Sequence, residues 1–372
     1  MDKGKEDDLG KLDWRTGYRT EIVRVSTAEL FASMPEAYRK HWEWDGSQLA
    51  PTEKEIADML DCIAGFAEIL PAKRSGVLPA LMEGRVQPLT GKDLKFLSHR
   101  LPTRVDLVGL RSVQMTFPSE VLEAWPVSPT AASLPARLDR LALLERAMDA
   151  LANLYGAIRL DDARAILRRF GLWDDDRDEP LLERLELRTI YRTDDAAVIS
   201  DGIVYFSTYE GADGLDPKEA KALLRFTDGF PRWIPVTAEE LLAWSDPGYV
   251  EDTPVNAAVM VWTMENLVPD DPEAPRAMVG DACRTVRSAA SEDPYIDLFD
   301  ADGDGEDDTP PPALREQFIA SQRRWILCGN SEIGVEALGG TPEMKAWFAR
   351  HREEKAARHT GKKKHKKHGK RR

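Results

Sequence analysis

The sequence has few cysteines and lacks several local signatures that would define a function class. Its three cysteines, Cys62, Cys283 and Cys328, are far apart and form no CxxC pair, which argues against a disulfide framework or a thiolate zinc site. No apolar run approaches the roughly 20 residues that a membrane-spanning helix needs. The first residues lack the apolar stretch of a secretory signal. We therefore expect a cytoplasmic protein with no transmembrane segment.

Catalytic motifs are also missing. No GxSxG, HExxH or GxGxxG pattern occurs, and Gly91-Lys92 is followed by Asp93, not by the Ser or Thr of a phosphate loop. An enzyme needs converging catalytic groups, and none can be assembled from this sequence, so we predict a non-catalytic protein. The alternative enzyme hypothesis places a site near His41, which lies in an aromatic and charged segment.

Apolar residues are plentiful enough for folded cores. The chain has 372 residues, of which 42% are hydrophobic, and this length suits two or three domains. Its formal net charge is −14, so most of its surface would repel phosphate groups. Binding of nucleic acid by the whole body is therefore not expected.

Helical spacing of apolar residues dominates the chain and predicts an α+β, mainly α-helical fold. A central winged-helix-like module with one β-hairpin is flanked by helical regions. The predicted segments are a frayed N-terminus at 1–26, an N-terminal helical domain at 27–126, a linker at 127–136, a winged-helix-like domain at 137–210, a helical C-terminal region at 211–290, an acidic and Pro-rich linker at 291–312, C-terminal helices at 313–354 and a disordered basic tail at 355–372.

The middle block supplies the winged-helix prediction. Residues 138–155 form an amphipathic helical pattern, and Gly156 follows where a left-handed cap is expected. Two shorter helices are predicted at 161–170 and 181–187. Asp201-Gly202 then joins two strand-like runs and is a strong hairpin signal. Three helices followed by a hairpin is the order of a winged helix-turn-helix.

Charge opposes the DNA-binding use of such a module. Residues 172–187, which contain the third helix, carry seven acids and two bases, so this helix would be repelled by phosphates. Arg164, Arg168 and Arg169 on the second helix form a possible secondary basic patch. We predict a structural or protein-contact role, and a winged-helix DNA-binding regulator is the alternative.

An acidic segment imitates the start of a calcium loop. Asp300, Asp302, Asp304 and Gly305 occupy positions 1, 3, 5 and 6 of that loop. Position 12, where a bidentate Glu is usual, is Pro311. We predict an acidic linker here, and whether residues 300–308 bind a cation stays open.

The C-terminal end has the opposite charge to the rest of the chain. Residues 355–372 carry ten Lys or Arg and no Asp or Glu, so without them the formal net charge of −14 would become −24. Such a segment cannot bury a core, and we predict that it binds nucleic acid or another polyanion with salt-sensitive affinity. A vestigial tail with no partner is the alternative. The predicted binding residues are Lys362, Lys363, Lys364, Lys366, Lys367, Lys370, Arg371 and Arg372.

Residues 360–369, Thr-Gly-Lys-Lys-Lys-His-Lys-Lys-His-Gly, resemble the second half of the SEC-C motif. This zinc-binding element lies at the C-terminus of many bacterial proteins. Its Gly-Lys-Lys and His-Gly sequences are both present here. The positions of three motif cysteines are occupied by Ala356, Arg358 and Lys367. Because thiolates hold zinc in that element, the resemblance implies a degenerate tail without structural zinc. His365 and His368 are the remaining candidate metal ligands.

The central region carries a second resemblance. Residues 150–158 (Ala-Leu-Ala-Asn-Leu-Tyr-Gly-Ala-Ile), the predicted hairpin and residues 233–242 (Trp-Ile-Pro-Val-Thr-Ala-Glu-Glu-Leu-Leu) are similar to the central region of uncharacterised bacterial proteins with SEC-C tails. The similarity implies a helical, winged-helix-like module and no activity. We predict a non-catalytic binding or adaptor protein with an unknown protein partner. The partner's identity, the biological process and the oligomeric state stay open.

Overall fold

A computed structural model provides the structure of the protein. It describes residues 11–13, 16–34, 51–100, 103–190, 192, 195–208, 214–269, 271, 273–288 and 310–337. The chain divides into two compact units, one made of residues 1–143 and 180–192 and the other of residues 144–179 and 193–372. The fold is α+β and mainly helical, as the sequence predicts.

A four-stranded sheet forms part of the first unit. Its strands are β1 (Gly17–Val25), β2 (Gln87–Thr90), β3 (Arg104–Gly109) and β4 (Ser112–Pro118). The order is β2-β1-β4-β3, with β1 parallel to β4 and the other two neighbouring pairs antiparallel. In β1, buried Tyr18 and Thr20 alternate with exposed Arg19 and Glu21, the period of a strand with one covered face.

Helices of the same unit pack against this sheet. They are α1 (Thr27–Ser33), α2 (Glu53–Ile69), α3 (Ala72–Ser75), α4 (Val77–Met82), α5 (Gly91–Arg100), α6 (Ser119–Ala124), the first part of α7 (Pro129–Tyr155) and, from later in the chain, α10 (Leu182–Ile190). Thr52 caps α2 through a capping box with Glu55. Ile63 and Phe66 of α2 share a core with Met115 of β4.

The structure differs from the sequence prediction in this unit in two places. Strand β1 lies within the segment 1–26 that we expected to be frayed, and the other three strands, β2, β3 and β4, interrupt the region 27–126 that we expected to be helical. The predicted linker 127–136 falls largely within α7, which contains Pro135. Pairing with distant strands stabilises β1, and such pairing is not visible in local periodicity.

The second unit begins with the rest of α7 and a small sheet. The elements are β5 (Ala157–Arg159), α8 (Leu160–Arg169), α9 (Asp175–Asp178), β6 (Ala196–Ser200) and β7 (Ile203–Ser207). The sheet order is β5-β7-β6, and both pairings are antiparallel. Asp201 and Gly202 have φ values of 53° and 70°, which the tight turn of the predicted hairpin requires. The hairpin prediction is therefore confirmed.

The remaining elements are helical. They are α11 (Pro217–Phe226), α12 (Ala238–Ala243), α13 (Pro254–Asn266), α14 (Ala274–Ser288), α15 (Pro312–Ser321) and α16 (Glu332–Ala337). Val259 of α13, Val286 of α14 and Phe318 of α15 belong to one buried apolar cluster. A short 3₁₀ turn (Trp325–Leu327) lies between α15 and α16.

Candidate functional site

Several predicted site residues lie outside the described part of the chain. They are His41, the acidic segment 300–308 and the whole basic tail with His365 and His368. The predictions made for these residues stay predictions. The secondary basic patch is described, and it lies on α8.

Arg164 of this patch contacts acidic and aromatic side chains of its own unit. Its Nη2 donates to Glu179 Oε1 at 2.9 Å, and its Nη1 lies 3.5 Å from Asp161 Oδ1. The guanidinium carbon also lies 5.3 Å from the centre of the Trp173 ring. With two carboxylates and an aromatic face already around it, this side chain has little attraction left for an external anion.

Arg168 makes a two-point pair with a carboxylate at the start of α9. Its Nε and Nη2 lie 3.1 and 2.6 Å from the two oxygens of Asp175, which also accepts a hydrogen bond from Trp173 Nε1 at 2.8 Å. The bond with Arg168 lowers the pKa of Asp175 and raises the pKa of the guanidinium. Arg169 is exposed, and we see no ion pair for it among the described residues. The patch therefore offers an anion less positive charge than its sequence suggests.

Helix α10, the third helix of the predicted module, is anchored within the first unit. Arg184 Nε lies 3.5 Å from Glu68 Oε2, and Arg137 Nε donates to the other oxygen, Oε1, at 2.5 Å. The Glu68 side chain is 9% exposed. One nearly buried carboxylate thus joins α10 to α2 and α7, and it pairs with a base of the acidic third helix, Arg184, whose side chain stays 40% exposed.

A dense polar cluster lies at the end of α7, and we call Asn153, Trp244, Arg287 and Trp325 the Asn153 cluster. The Asn153 side chain donates from Nδ2 to the carbonyls of Trp244 at 2.8 Å and Asp246 at 3.0 Å. Its Oδ1 accepts from Arg287 Nη1 at 2.6 Å. The backbone carbonyl of Asn153 accepts from Trp325 Nε1 at 2.8 Å. One residue therefore connects three separate segments of the second unit.

Arg287 is a buried cation surrounded by neutral acceptors. Besides Asn153, it donates to the carbonyls of Pro247 at 3.3 Å and Tyr249 at 3.2 Å, and its guanidinium carbon lies 4.6 Å from the Trp244 ring centre. Burial lowers the pKa of Arg287 to about 10, so the group is still charged at neutral pH. These contacts fix the loop before α13 to α7 and α14, which is a structural role.

Cys283 lies one turn before this arginine on α14 and is also buried. Burial raises the pKa of its thiol to about 12. Because the thiolate is the nucleophile, such a thiol is unreactive at neutral pH. The neighbourhood of Arg287 therefore does not activate a cysteine for catalysis.

The two segments that carry the central resemblance are in contact. Tyr155 Oη donates to the carbonyl of Trp233 at 2.7 Å, next to Gly156. Arg323 lies over the Trp233 ring at 3.6 Å and pairs with Glu251, its Nε at 3.2 Å and its Nη2 at 3.1 Å from Glu251 Oε1. Both segments therefore lie in a packed region of aromatic and arginine side chains within the second unit.

Helix α13 presents an exposed apolar surface, which we call the outer face of α13. Its members are Ala257, Ala258, Val261 and Met264. Val261 is 48% exposed and Met264 is 43% exposed. The opposite side of the helix packs Val259 into the core shared with α14 and α15. A helix that is apolar on both sides normally has both sides covered.

Sequence reasoning missed both the Asn153 cluster and the outer face of α13, although each leaves a trace. Arg287 follows Cys283 and Val286 at core spacing in α14, where an arginine is unusual. Residues 254–264 contain no charged residue, in a chain in which 31% of residues are charged. A long uncharged stretch that supports only one buried face is a sign of a second contact.

The described residues contain neither a metal-binding group nor a membrane-spanning helix. Within the described residues, no group of three or more His, Cys, Asp or Glu side chains is placed to hold a metal ion. Of the helices described, none combines the length and the apolar character needed to cross a bilayer.

Comparisons with known proteins give no family assignment. The chain matches no protein-family model, no curated protein and no solved structure. Function therefore has to be argued from its own residues.

Proposed function

We propose that this protein is a non-catalytic binding or adaptor protein whose basic tail supplies salt-sensitive attraction to a polyanion. The folded units supply contacts to another protein. The observation that carries this proposal is the distribution of positive charge. Ten Lys or Arg without a single acid occupy residues 355–372, at the end of a chain whose formal net charge is −14.

The paired state of the other basic patch supports this assignment. Arg164 and Arg168 on α8 are bound to Glu179 and Asp175, so an external phosphate would have to displace these carboxylates. The tail has no acid within it to compete in the same way. Long-range attraction to a polyanion is therefore expected from the tail and not from α8.

The test compares the full chain with a variant in which the eight predicted tail residues are changed to Gln. We expect the full chain to bind a single-stranded oligonucleotide at about 50 mM salt and to lose affinity steeply by about 0.2 M salt, because counterions are released on binding. The neutral-tail variant should bind at least about tenfold more weakly at low salt. Fluorescence anisotropy of the labelled oligonucleotide measures both quantities.

A variant with Arg164→Gln, Arg168→Gln and Arg169→Gln is the matched control. It removes three positive charges from α8 and should change the affinity much less than the tail variant does. Equal binding by the full chain and the neutral-tail variant would overturn the proposal. So would a loss confined to the α8 variant.

A winged-helix DNA-binding regulator is the second candidate. The order of helices and strands from α7 to β7, and the sheet order β5-β7-β6, favour it. The acidic character of α10 and the pairing of Arg184 with Glu68 oppose it. Selective retention of particular duplex fragments above about 0.2 M salt, where nonspecific phosphate attraction is weak, would favour the regulator over the adaptor.

A further inference from the structure

Residues 310–337, which we call the C-terminal strap, join the rest of the second unit through a long connection. The strap contains α15, the 3₁₀ turn and α16. Twenty-one residues, 289–309, connect it to α14. A chain of that length can span up to about 70 Å, so the covalent connection places little constraint on where the strap lies. The position of the strap must therefore be set by its own contacts.

The central contact of the strap is a tryptophan in a closely fitting site. Trp325 is 3% exposed, and its Nε1 donates to the carbonyl of Asn153 at 2.8 Å. The ring lies against Gly156, where an added Cβ would overlap it. Phe206 lies on another side, with the two ring centres 5.7 Å apart. The site accepts this ring because residue 156 has no side chain.

Two polar residues just before this tryptophan also have specific partners. Gln322 Nε2 donates to Asn256 Oδ1 at 2.8 Å. Arg323 lies with Nε at 3.2 Å and Nη2 at 3.1 Å from Glu251 Oε1, and its guanidinium carbon lies 3.6 Å from the centre of the Trp233 ring. The side chains of Arg323 and Glu251 are only 18% and 17% exposed, so water competes little for this pair. The strap is therefore oriented as well as buried.

Backbone and apolar contacts continue on both sides of the tryptophan. Trp233 N donates to the carbonyl of Cys328 at 3.1 Å, and Asn330 Nδ2 donates to the carbonyl of Pro231 at 2.8 Å. Earlier in the strap, α15 buries Phe318 in a cluster with residues of α13 and α14. The contacts are thus spread from α15 to the turn that follows the tryptophan.

The strap contacts have the composition of an interface between two proteins. Tryptophan and arginine are enriched among the residues that dominate binding energy, especially where they fill desolvated pockets. A two-point pair between an arginine and a carboxylate also fixes orientation. The strap of a second copy would offer the same contacts. The chain's own strap is tethered, however, and is therefore present at a much higher effective concentration.

We propose that the C-terminal strap docks on the second unit as a peptide docks on its receptor, and that the connection 289–309 is not needed to hold it. The receptor residues are Asn153, Gly156, Trp233, Glu251 and Asn256. Because residues 338–372 follow the strap directly, the basic tail stays attached when the connection is cut. The proposal does not require that the tail bind a polyanion, so either idea can fail without the other.

The first test is to cut the full chain within the connection. A recognition sequence for a site-specific protease is inserted between Gly303 and Asp304, and complete cleavage is verified on a denaturing gel. We expect the two pieces to elute together from a sizing column at about 1 µM, because interfaces with a buried tryptophan and a desolvated arginine pair commonly reach this affinity. Light scattering should give the mass of one chain, and circular dichroism should be unchanged.

Each other result of this experiment overturns the proposal. Separation of the two pieces would show that the strap depends on its covalent connection. A loss of helical signal after cleavage would show that the strap and the rest of the unit fold only as one continuous chain. A complex with the mass of two chains would show that straps dock on second copies instead of on their own chain.

The second test changes the arginine of the strap in the cut protein. Arg323→Ala removes the pair with Glu251 and the contact with the Trp233 ring, so it should raise the dissociation constant of the two pieces about tenfold or more. Glu316→Gln is the matched control, because Glu316 is an exposed residue of α15, and it should change this constant less than about twofold. A dilution series on the sizing column measures both constants. Equal constants in the two variants would show that the arginine does not hold the strap.

Discussion

Helices α7 and α8 end in similar ways but in opposite surroundings. Gly156 follows α7 with a φ of 72°, and Gly171 follows α8 with a φ of 67°. Each end also has arginines nearby. At the end of α7, Arg287 is buried among carbonyl oxygens, whereas at the end of α8 Arg168 and Arg169 are exposed and Arg168 pairs with Asp175.

The difference teaches that a sequence pattern specifies the conformation and not the role. A glycine after an amphipathic helix predicts a left-handed cap, and the prediction made for Gly156 is confirmed. Burial then decides what the position contributes. The end of α7 connects distant segments through the Asn153 cluster, whereas the end of α8 forms a charged turn at the surface. Substitutions at matched positions can separate these two situations.

The largest expected effect is at the buried arginine. Arg287→Ala should lower the free energy of unfolding by roughly 3 kcal/mol or more, because each buried acceptor left unpaired costs about 1–3 kcal/mol. The acceptors are Asn153 Oδ1 and two carbonyls of the loop before α13. Arg169 is exposed, so Arg169→Ala should change the free energy of unfolding by less than about 0.5 kcal/mol. Urea unfolding measures the free energy of unfolding of both variants. Similar losses in the two variants would show that the two helix ends do not differ in their contribution to stability.

The two cap glycines provide the next contrast. A Cβ at position 156 would lie 2.4 Å from Trp325 Cδ2, whereas a Cβ at position 171 would meet no atom within 4 Å. Left-handed backbone costs an alanine about 1–2 kcal/mol at either site. Overpacking against Trp325 adds about 1–3 kcal/mol at position 156 alone. Gly156→Ala should therefore destabilise the protein more than Gly171→Ala in urea unfolding, and equal losses would contradict the packing of Trp325 on Gly156.

Local signals predicted a useful part of this fold. The mainly helical character, the cap at Gly156 and the hairpin turn at Asp201-Gly202 all depend on residues close together in sequence. The first sheet was missed because β1 depends on β4, which is about ninety residues away and contributes its neighbouring backbone. The helical start of α7 was missed because three prolines in one stretch favour a loop by local rules, and the context of the fold overrode them.

The candidate sites show the same difference between features visible in local sequence and features that depend on distant contacts. The arginines of α8 were found from composition, but their pairing with Asp175 and Glu179 depends on how the turn after α8 folds back. The Asn153 cluster joins residues more than one hundred positions apart, such as Asn153 and Trp325, and no local pattern connects them. Only the uncharged stretch of α13 could have been read directly from the sequence, as a helix with apolar residues on its exposed side.

The smallest expected effect on stability is at the surface pair of α8. The hydrogen bond from Arg168 lowers the pKa of Asp175, so the folded state favours the carboxylate. The stabilisation is therefore present above the unfolded-state pKa of about 3.9 and is lost as the pH falls through the lowered folded-state value. Because both groups are exposed, Arg168→Gln should change the neutral-pH stability little.

The informative measurement on this pair is the titration of Asp175 followed by carboxyl-carbon NMR. Arg168→Gln should raise the pKa of Asp175 toward its ordinary value, and Arg169→Gln should leave it lowered. Unchanged titration in Arg168→Gln would show that the pair does not persist in solution, and Arg168 would then be free to meet an external anion. A raised pKa of Asp175 in this variant would mean that Arg168 is already paired with Asp175 in the folded protein. In that case the contrast between the two helix ends is one between a buried cation that holds segments together and a surface cation that is neutralised locally.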